Sequence, residues 1–174
     1  TFHDAALAPN GHLFAVGVTS SANFPVQLKS GAHYQGPAQS STDGTIVEFD
    51  AAGVRQWATR FAGTSFDYVD GVTVATDGRL YVCGSTASTD FPTANPGGGA
   101  FYQPALTGVE DAFVARFSAA GALEWSTHLG GASGDQYAGG IAVRDGKLYV
   151  VGHTTSPSFP VLDPGGGAHF DASL

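Results

Sequence analysis

The chain has 174 residues, 43% of them apolar, with 25 glycines, 9 prolines and only 13% charged side chains. That balance leaves enough apolar surface for a core but disfavours long helices, so an all-β fold is expected. A formal charge of −8, from 15 acidic against 7 basic residues, repels phosphate backbones, so no nucleic-acid partner is expected. No run reaches the roughly 20 apolar residues of a membrane span, so no membrane insertion is expected either.

In chain order the predicted strands are Ala5 to Ala8, Leu13 to Val18, Thr45 to Phe49 and Val54 to Phe61, then Val72 to Ala75, Leu80 to Ser85, Ala112 to Phe117 and Leu123 to Leu129, and finally Ile141 to Val143 and Leu148 to Thr154. Each is a short β-prone run bounded by Gly, Asp, Ser or Pro. They recur because the chain is a repeat. Gly17, Gly84 and Gly152 fall 67 and then 68 residues apart, and Phe24, Phe91 and Phe159 keep the same spacing. Asp43 and Asp111, Trp57 and Trp125, and Gly63 and Gly131 are each 68 apart. The repeat units run over 1–63, 64–131 and 132–174, the last incomplete.

Two kinds of connection set the topology. Asn10-Gly11, Asp77-Gly78 and Asp145-Gly146 join the first two strands of each unit through dipeptides suited to tight hairpins. Asp50 to Gly53 and Ser118 to Gly121 join the third and fourth equally tightly. Between the second and third strands lie about 25 residues, long enough for a loop with packing or binding work of its own. The second strands, LFAV, LYVC and LYVV, are unbroken apolar runs, as in sheets covered on both faces. The fourth alternates, with Leu123, Trp125, Thr127 and Leu129 on one side and Glu124, Ser126 and His128 on the other, and reads as an outer edge strand with its tryptophan inward. Radially stacked four-stranded antiparallel blades satisfy both patterns, so the predicted fold is a β-propeller segment of about two and a half blades.

The stretches DYVDGVTVATDGRLYVCGSTASTDFPT, GVEDAFVARFSAAGALEWSTHLGG and DQYAGGIAVRDGKLYVVGHTTSPSFP resemble the bacterial seven-bladed β-propeller repeats known as SBBP repeats. The likeness covers nearly the whole chain and lies in the ordered combination of LYVxG, a Ser/Thr run ending in Phe-Pro, Asp-Ala-Phe-Val and a closing Gly-Gly. The first unit departs from the pattern at Ala5 to Ala8, Thr45-Ile46 and Ala62-Gly63. The resemblance implies a bacterial scaffold or binding module, extracellular or at the cell surface, without shared catalytic residues.

Candidate chemistry is thin. The six histidines scatter over the repeat: His12 aligns with Arg79, His128 with Arg60, and His153 with Ser85, as solvated strand or turn positions would. Cys83 stands where Val16 and Val151 stand, which marks a core hydrophobe rather than a nucleophile. Asp43, Asp67, Asp90, Asp111 and Asp135 fall in long loops or links; calcium would suit such oxygen-rich segments, but none forms a DxDxDG loop, and aspartates capping backbone amides account for them more simply. The glycine runs at 96–99 and 164–167 lack the lysine of a phosphate loop and read as sharp turns. Phe-Pro at Phe24, Phe91 and Phe159 reads as a plug between blades.

No catalytic residue, metal site or cofactor is expected. The partner- or ligand-facing candidates are Tyr34, Asp43, Asp90, Phe101, Tyr102 and Asp111, and the expected role is a non-catalytic scaffold for protein interaction or self-assembly. Its partners are other chains or further blades of the same protein, with a homo-oligomer or filament among the outcomes. A glycan-binding module using Tyr34 and Tyr102, and a fragment of a propeller hydrolase or lyase, are the alternatives. The chain contains no methionine and begins within a repeat, so a piece of a longer protein is expected.

Overall fold

The computed structural model describes residues 1–171, and every regular element among them is a strand. These are β1 (Phe2–Leu7), β2 (Leu13–Thr19), β3 (Asp43–Phe49), β4 (Arg55–Arg60), β5 (Asp67–Val74), β6 (Leu80–Thr86), β7 (Asp111–Phe117), β8 (Leu123–Leu129), β9 (Gln136–Arg144) and β10 (Lys147–Thr154). β1 to β4 and β5 to β8 form two antiparallel sheets in sequence order, and β9 pairs with β10 alone. The expected two and a half blades are all present, and the third unit, read over 132–174, is described as far as residue 171.

The first strand of each blade is longer than its sequence pattern suggests. β1, β5 and β9 start at Phe2, Asp67 and Gln136 rather than at Ala5, Val72 and Ile141. Each contains an extra residue (His3, Asp70 and Gly139), which the pairing register skips, and that bulge interrupts the alternation by which a strand is recognised. The repeat glycine on the second strand answers the bulge. A Cβ on Gly17, Gly84 or Gly152 would stand 2.1, 1.9 or 1.8 Å from the carbonyl oxygen of Thr1, Tyr68 or Tyr137. Only a hydrogen fits where the two backbones approach so closely.

The blades stack face to face with their first strands converging, β5 packing against both β1 and β9. Between blades 1 and 2 the core joins Val16, Ile46, Trp57 and Phe61 to Val69, Val82, Phe113 and Phe117. Phe61 is its hub, fully buried, with ring centroids of Phe91, His33, Phe117 and Phe113 at 4.8, 5.3, 5.3 and 5.7 Å. Each side chain of that size contributes roughly 1.5–3 kcal/mol through burial. Between blades 2 and 3 a smaller cluster joins Cys83, Ala112 and Val114 to Ala138, Ile141, Leu148 and Val150. Asn10 and the Asp77-Gly78 turn border one cleft at one end of the stack, while Phe91, beyond the far end of β6, packs on Phe113 and His128.

The outer strand is not the open edge that its alternation suggests. The long loop doubles back along it, with Gln27 bridging Ala58 and Ala94 bridging Ser126. Further on, the amides of Gln35 and Gln103 donate to the hydroxyls of Thr59 and Thr127, both at 2.8 Å. The loop therefore acts as a partial fifth strand that satisfies the edge groups of β4 and β8.

Candidate functional site

The loop carboxylates prove to be internal joints. Asp43 and Asp111, expected on ligand-facing loops, are the first residues of β3 and β7 and are 1% and 0% exposed. Each turns its carboxylate back to cap the end of the preceding loop. Asp43 accepts from the Gln39 and Ser40 amides (3.0 and 2.9 Å), and Asp111 from the Thr107 and Gly108 amides (2.9 and 3.1 Å) and from Gln103 Nε2 (2.8 Å). Buried anions need such donors, and this corrects their assignment to a ligand surface. Asp67, which opens β5, accepts from Thr86 Oγ1, Gly63 N and Ser88 Oγ at 2.5, 2.8 and 2.9 Å. Burial, with a smaller push from the Asp43 charge, raises its pKa to about 6.

The repeat pairing of Arg60 with His128 also marks buried positions, not solvated ones. Arg60 is fully buried with Nε 3.0 Å from Asp43 Oδ2, an ion-pair contact outside hydrogen-bond geometry, and its guanidinium also donates to the carbonyls of Gly36 and Ser21. In blade 2, His128 stands 3.9 Å from Asp111, and burial lowers its pKa despite that neighbour. Cys83 is a buried core thiol, pushed up to about 12 by burial and by the charges of Asp70 and Asp4.

Among the other candidates, Asp90 is exposed but occupied. Its Oδ1 accepts from the Thr64 amide and hydroxyl at 2.8 and 2.9 Å, tying the blade 2 loop to the link from blade 1, and the amide bond chiefly holds its pKa down. Tyr34 is 43% exposed on the blade 1 loop, and the half-buried Tyr102 donates to Thr93 Oγ1 at 3.4 Å. Phe101 differs. It is 53% exposed and borders a cleft with Pro96, Ala100, Arg116, Trp125 and Leu148. The structure thus leaves Tyr34, Asp90 and Phe101 exposed and withdraws Asp43 and Asp111 into the interior.

Phe101 borders Leu148 of β10, whose apolar run 148–151 stands without a third strand in its incomplete unit, as the repeat pattern expects. β10 pairs with β9 on one side only, and among the described residues no strand lies along its other edge. Tyr149 and Val151 on its outward face are 54% and 68% exposed, whereas Cys83, at the position of Val151 in blade 2, is fully covered by the following blade. Trp125, partly exposed on β8, is the counterpart of the fully buried Trp57. The signal lies in the repeat itself: Val151 and Trp125 stand where Cys83 and Trp57 are fully buried. Among the described residues no three His, Cys, Asp or Glu side chains converge as metal ligands.

Antiparallel four-stranded sheets, stacked with converging first strands and generated by one repeated sequence, define a segment of a β-propeller. Residues 56–92 match the family model described as a Beta-propeller repeat, SBBP, in keeping with the resemblance of the repeats. The matched unit runs from β4 through β6 to Phe91-Pro92, so one sequence repeat contributes the outer strand of blade 1 and the two inner strands of blade 2. No curated protein matches the chain.

Proposed function

We propose that the chain is a non-catalytic propeller module whose open face at β10 takes up further β-strands, supplied by additional propeller sequence or by another chain, and so builds a scaffold or self-assembling array. The carrying observation is the contrast between equivalent positions: Cys83 is sealed by the next blade while Val151 is 68% exposed beside an unpaired strand edge. The unpaired edge of β10 is a template for another strand, and the uncovered face that carries Val151 is apolar surface for a further blade to pack on. The inert setting of Cys83 and the internal use of Asp43, Asp67 and Asp111 support a role without catalysis. A setting outside the cell or on its surface follows from the family resemblance.

Light scattering over a range of concentrations tests the reading. The expected result is a mass that rises above the 17.7 kDa of the single chain, and a Val151→Lys substitution that suppresses the rise by placing a charge on the open face. A constant 17.7 kDa for both proteins defeats it.

A further inference from the structure

Where the first strand of blade 3 packs on blade 2, Tyr68, Asp70, Ser85, Glu110 and Tyr137 line a cleft of about 360 Å³. Tyr68 and Asp70 come from β5, Ser85 from β6, Tyr137 from β9, and Glu110 is the residue before β7. Tyr68 and Ser85 are partners in the β5–β6 register and so share a face. Glu110 is fixed beside β9 by its own backbone, whose carbonyl accepts from the Gln136 amide at 3.0 Å. Its Oε2 accepts from the Tyr137 hydroxyl, also at 3.0 Å. That bond is the chief reason the phenol is pushed up to about 12, and it keeps Tyr137 protonated. The Tyr137 ring is held in turn by His153, stacked at 5.0 Å.

Two polar atoms of this cleft are left over. Glu110 Oε1 and Ser85 Oγ are both withdrawn from solvent, neither has a hydrogen-bond partner among the described residues, and Ser85 is 0% exposed. An unpaired buried polar group is costly, and a charged one more so. The blade does not demand these groups. In the first repeat the counterparts of Ser85, Glu110 and Asp70 are Val18, Thr42 and His3, so a hydroxyl and two carboxylates stand where the same fold is built without them. The cleft also collects negative charge: Asp70 has one oxygen 2.7 Å from His3 Nδ1, and no lysine or arginine lines the cleft.

We infer that this cleft binds an alkylammonium group, with Glu110 Oε1, Ser85 Oγ and the Asp70 carboxylate as its acceptors and Tyr68 and Tyr137 as its aromatic walls. An ammonium carries three donors and no acceptor, which answers a site whose leftover atoms accept. The two rings add the attraction of a cation to an aromatic face. A divalent metal is a poorer match, because calcium takes about six to eight oxygens, whereas among the described residues no three His, Cys, Asp or Glu side chains converge. The ammonium group is common to a small free amine and to a lysine side chain. This site uses nothing from the open face of β10 and stands apart from the proposed function.

Isothermal titration calorimetry of the intact chain tests this, with butylammonium chloride, Nα-acetyl-lysine methylamide, tetramethylammonium chloride and calcium chloride as parallel titrants. Saturable binding of the primary amines is expected, weaker by about tenfold or more for tetramethylammonium, which has no N–H to donate, and weakened about as much by Glu110→Gln and by Ser85→Ala. Ser85→Ala removes only an unpaired hydroxyl, so its thermal melt should match or exceed that of the natural protein, which separates lost binding from lost folding. Tighter binding of the lysine derivative assigns the site to a lysine side chain, and tighter binding of butylammonium assigns it to a small free amine. No saturable binding of either amine, binding that both substitutions leave unchanged, or equal binding of tetramethylammonium overturns the proposal. Calcium that displaces butylammonium and no longer binds Glu110→Gln overturns it in favour of a metal.

Discussion

Replacing Phe61 with alanine tests the central claim that blade stacking, rather than the individual sheets, stabilises this chain. The ring is fully buried and meets four others within 6 Å, so its removal takes away apolar contact from both blades at once. Large-to-small changes at such sites cost about 3–5 kcal/mol, a range that already includes the cavity left behind. Its repeat counterpart Leu129 occupies the same place on β8 but is only half-buried, because no strand pair covers it. Leu129→Ala should therefore cost about 1 kcal/mol, the lost transfer of a partly wet side chain. Urea denaturation followed by far-UV circular dichroism separates the two. With a slope of about 2 kcal/mol per molar, the midpoint should fall by about 2 M for Phe61→Ala and about 0.5 M for Leu129→Ala. Equal shifts, or a cost below about 1 kcal/mol at Phe61, would refute the assignment of the main core to the first junction.

The remaining predictions concern backbone fit and protonation. Gly84→Ala should destabilise by about 3 kcal/mol or more, since its Cβ would lie 1.9 Å from the Tyr68 carbonyl oxygen, whereas Gly139→Ala on the neighbouring bulge, with nothing within 4 Å, should stay within about 0.5 kcal/mol; thermal melts of the pair suffice. Asp67 should make stability fall as pH rises. Its pKa is raised from 3.8 to about 6, so the folded state holds a proton that the unfolded state releases; this contribution is complete below about pH 4 and lost through pH 6, worth about 3 kcal/mol. Urea midpoints at pH 4, 5, 6 and 7 should fall more steeply for the natural protein than for Asp67→Asn, and parallel profiles would show that the carboxyl is ionised throughout.

Much of this molecule was determined locally and is legible in the sequence. The fold class, the ten strands, the hairpin turns and the blade count follow from alternation, turn dipeptides and the 67- to 68-residue spacing, because each is set by backbone preference within a few residues. Cys83 was readable as a core thiol from its repeat partners. What tertiary structure alone decided is where chain segments distant in sequence meet. The starts of β1, β5 and β9 were hidden by bulges whose logic lies in the glycine of the opposite strand. Asp43, Asp111 and Arg60 look like surface residues by type, yet they are buried because the two carboxylates are satisfied by amides of the loop just before them, while Arg60 reaches back to the carbonyls of Gly36 and Ser21. Trp57 and Trp125 are the same residue in the same pattern, but one is sealed and one is half open. A side chain's burial depends on whether the next blade is there to cover it, and no local pattern records that.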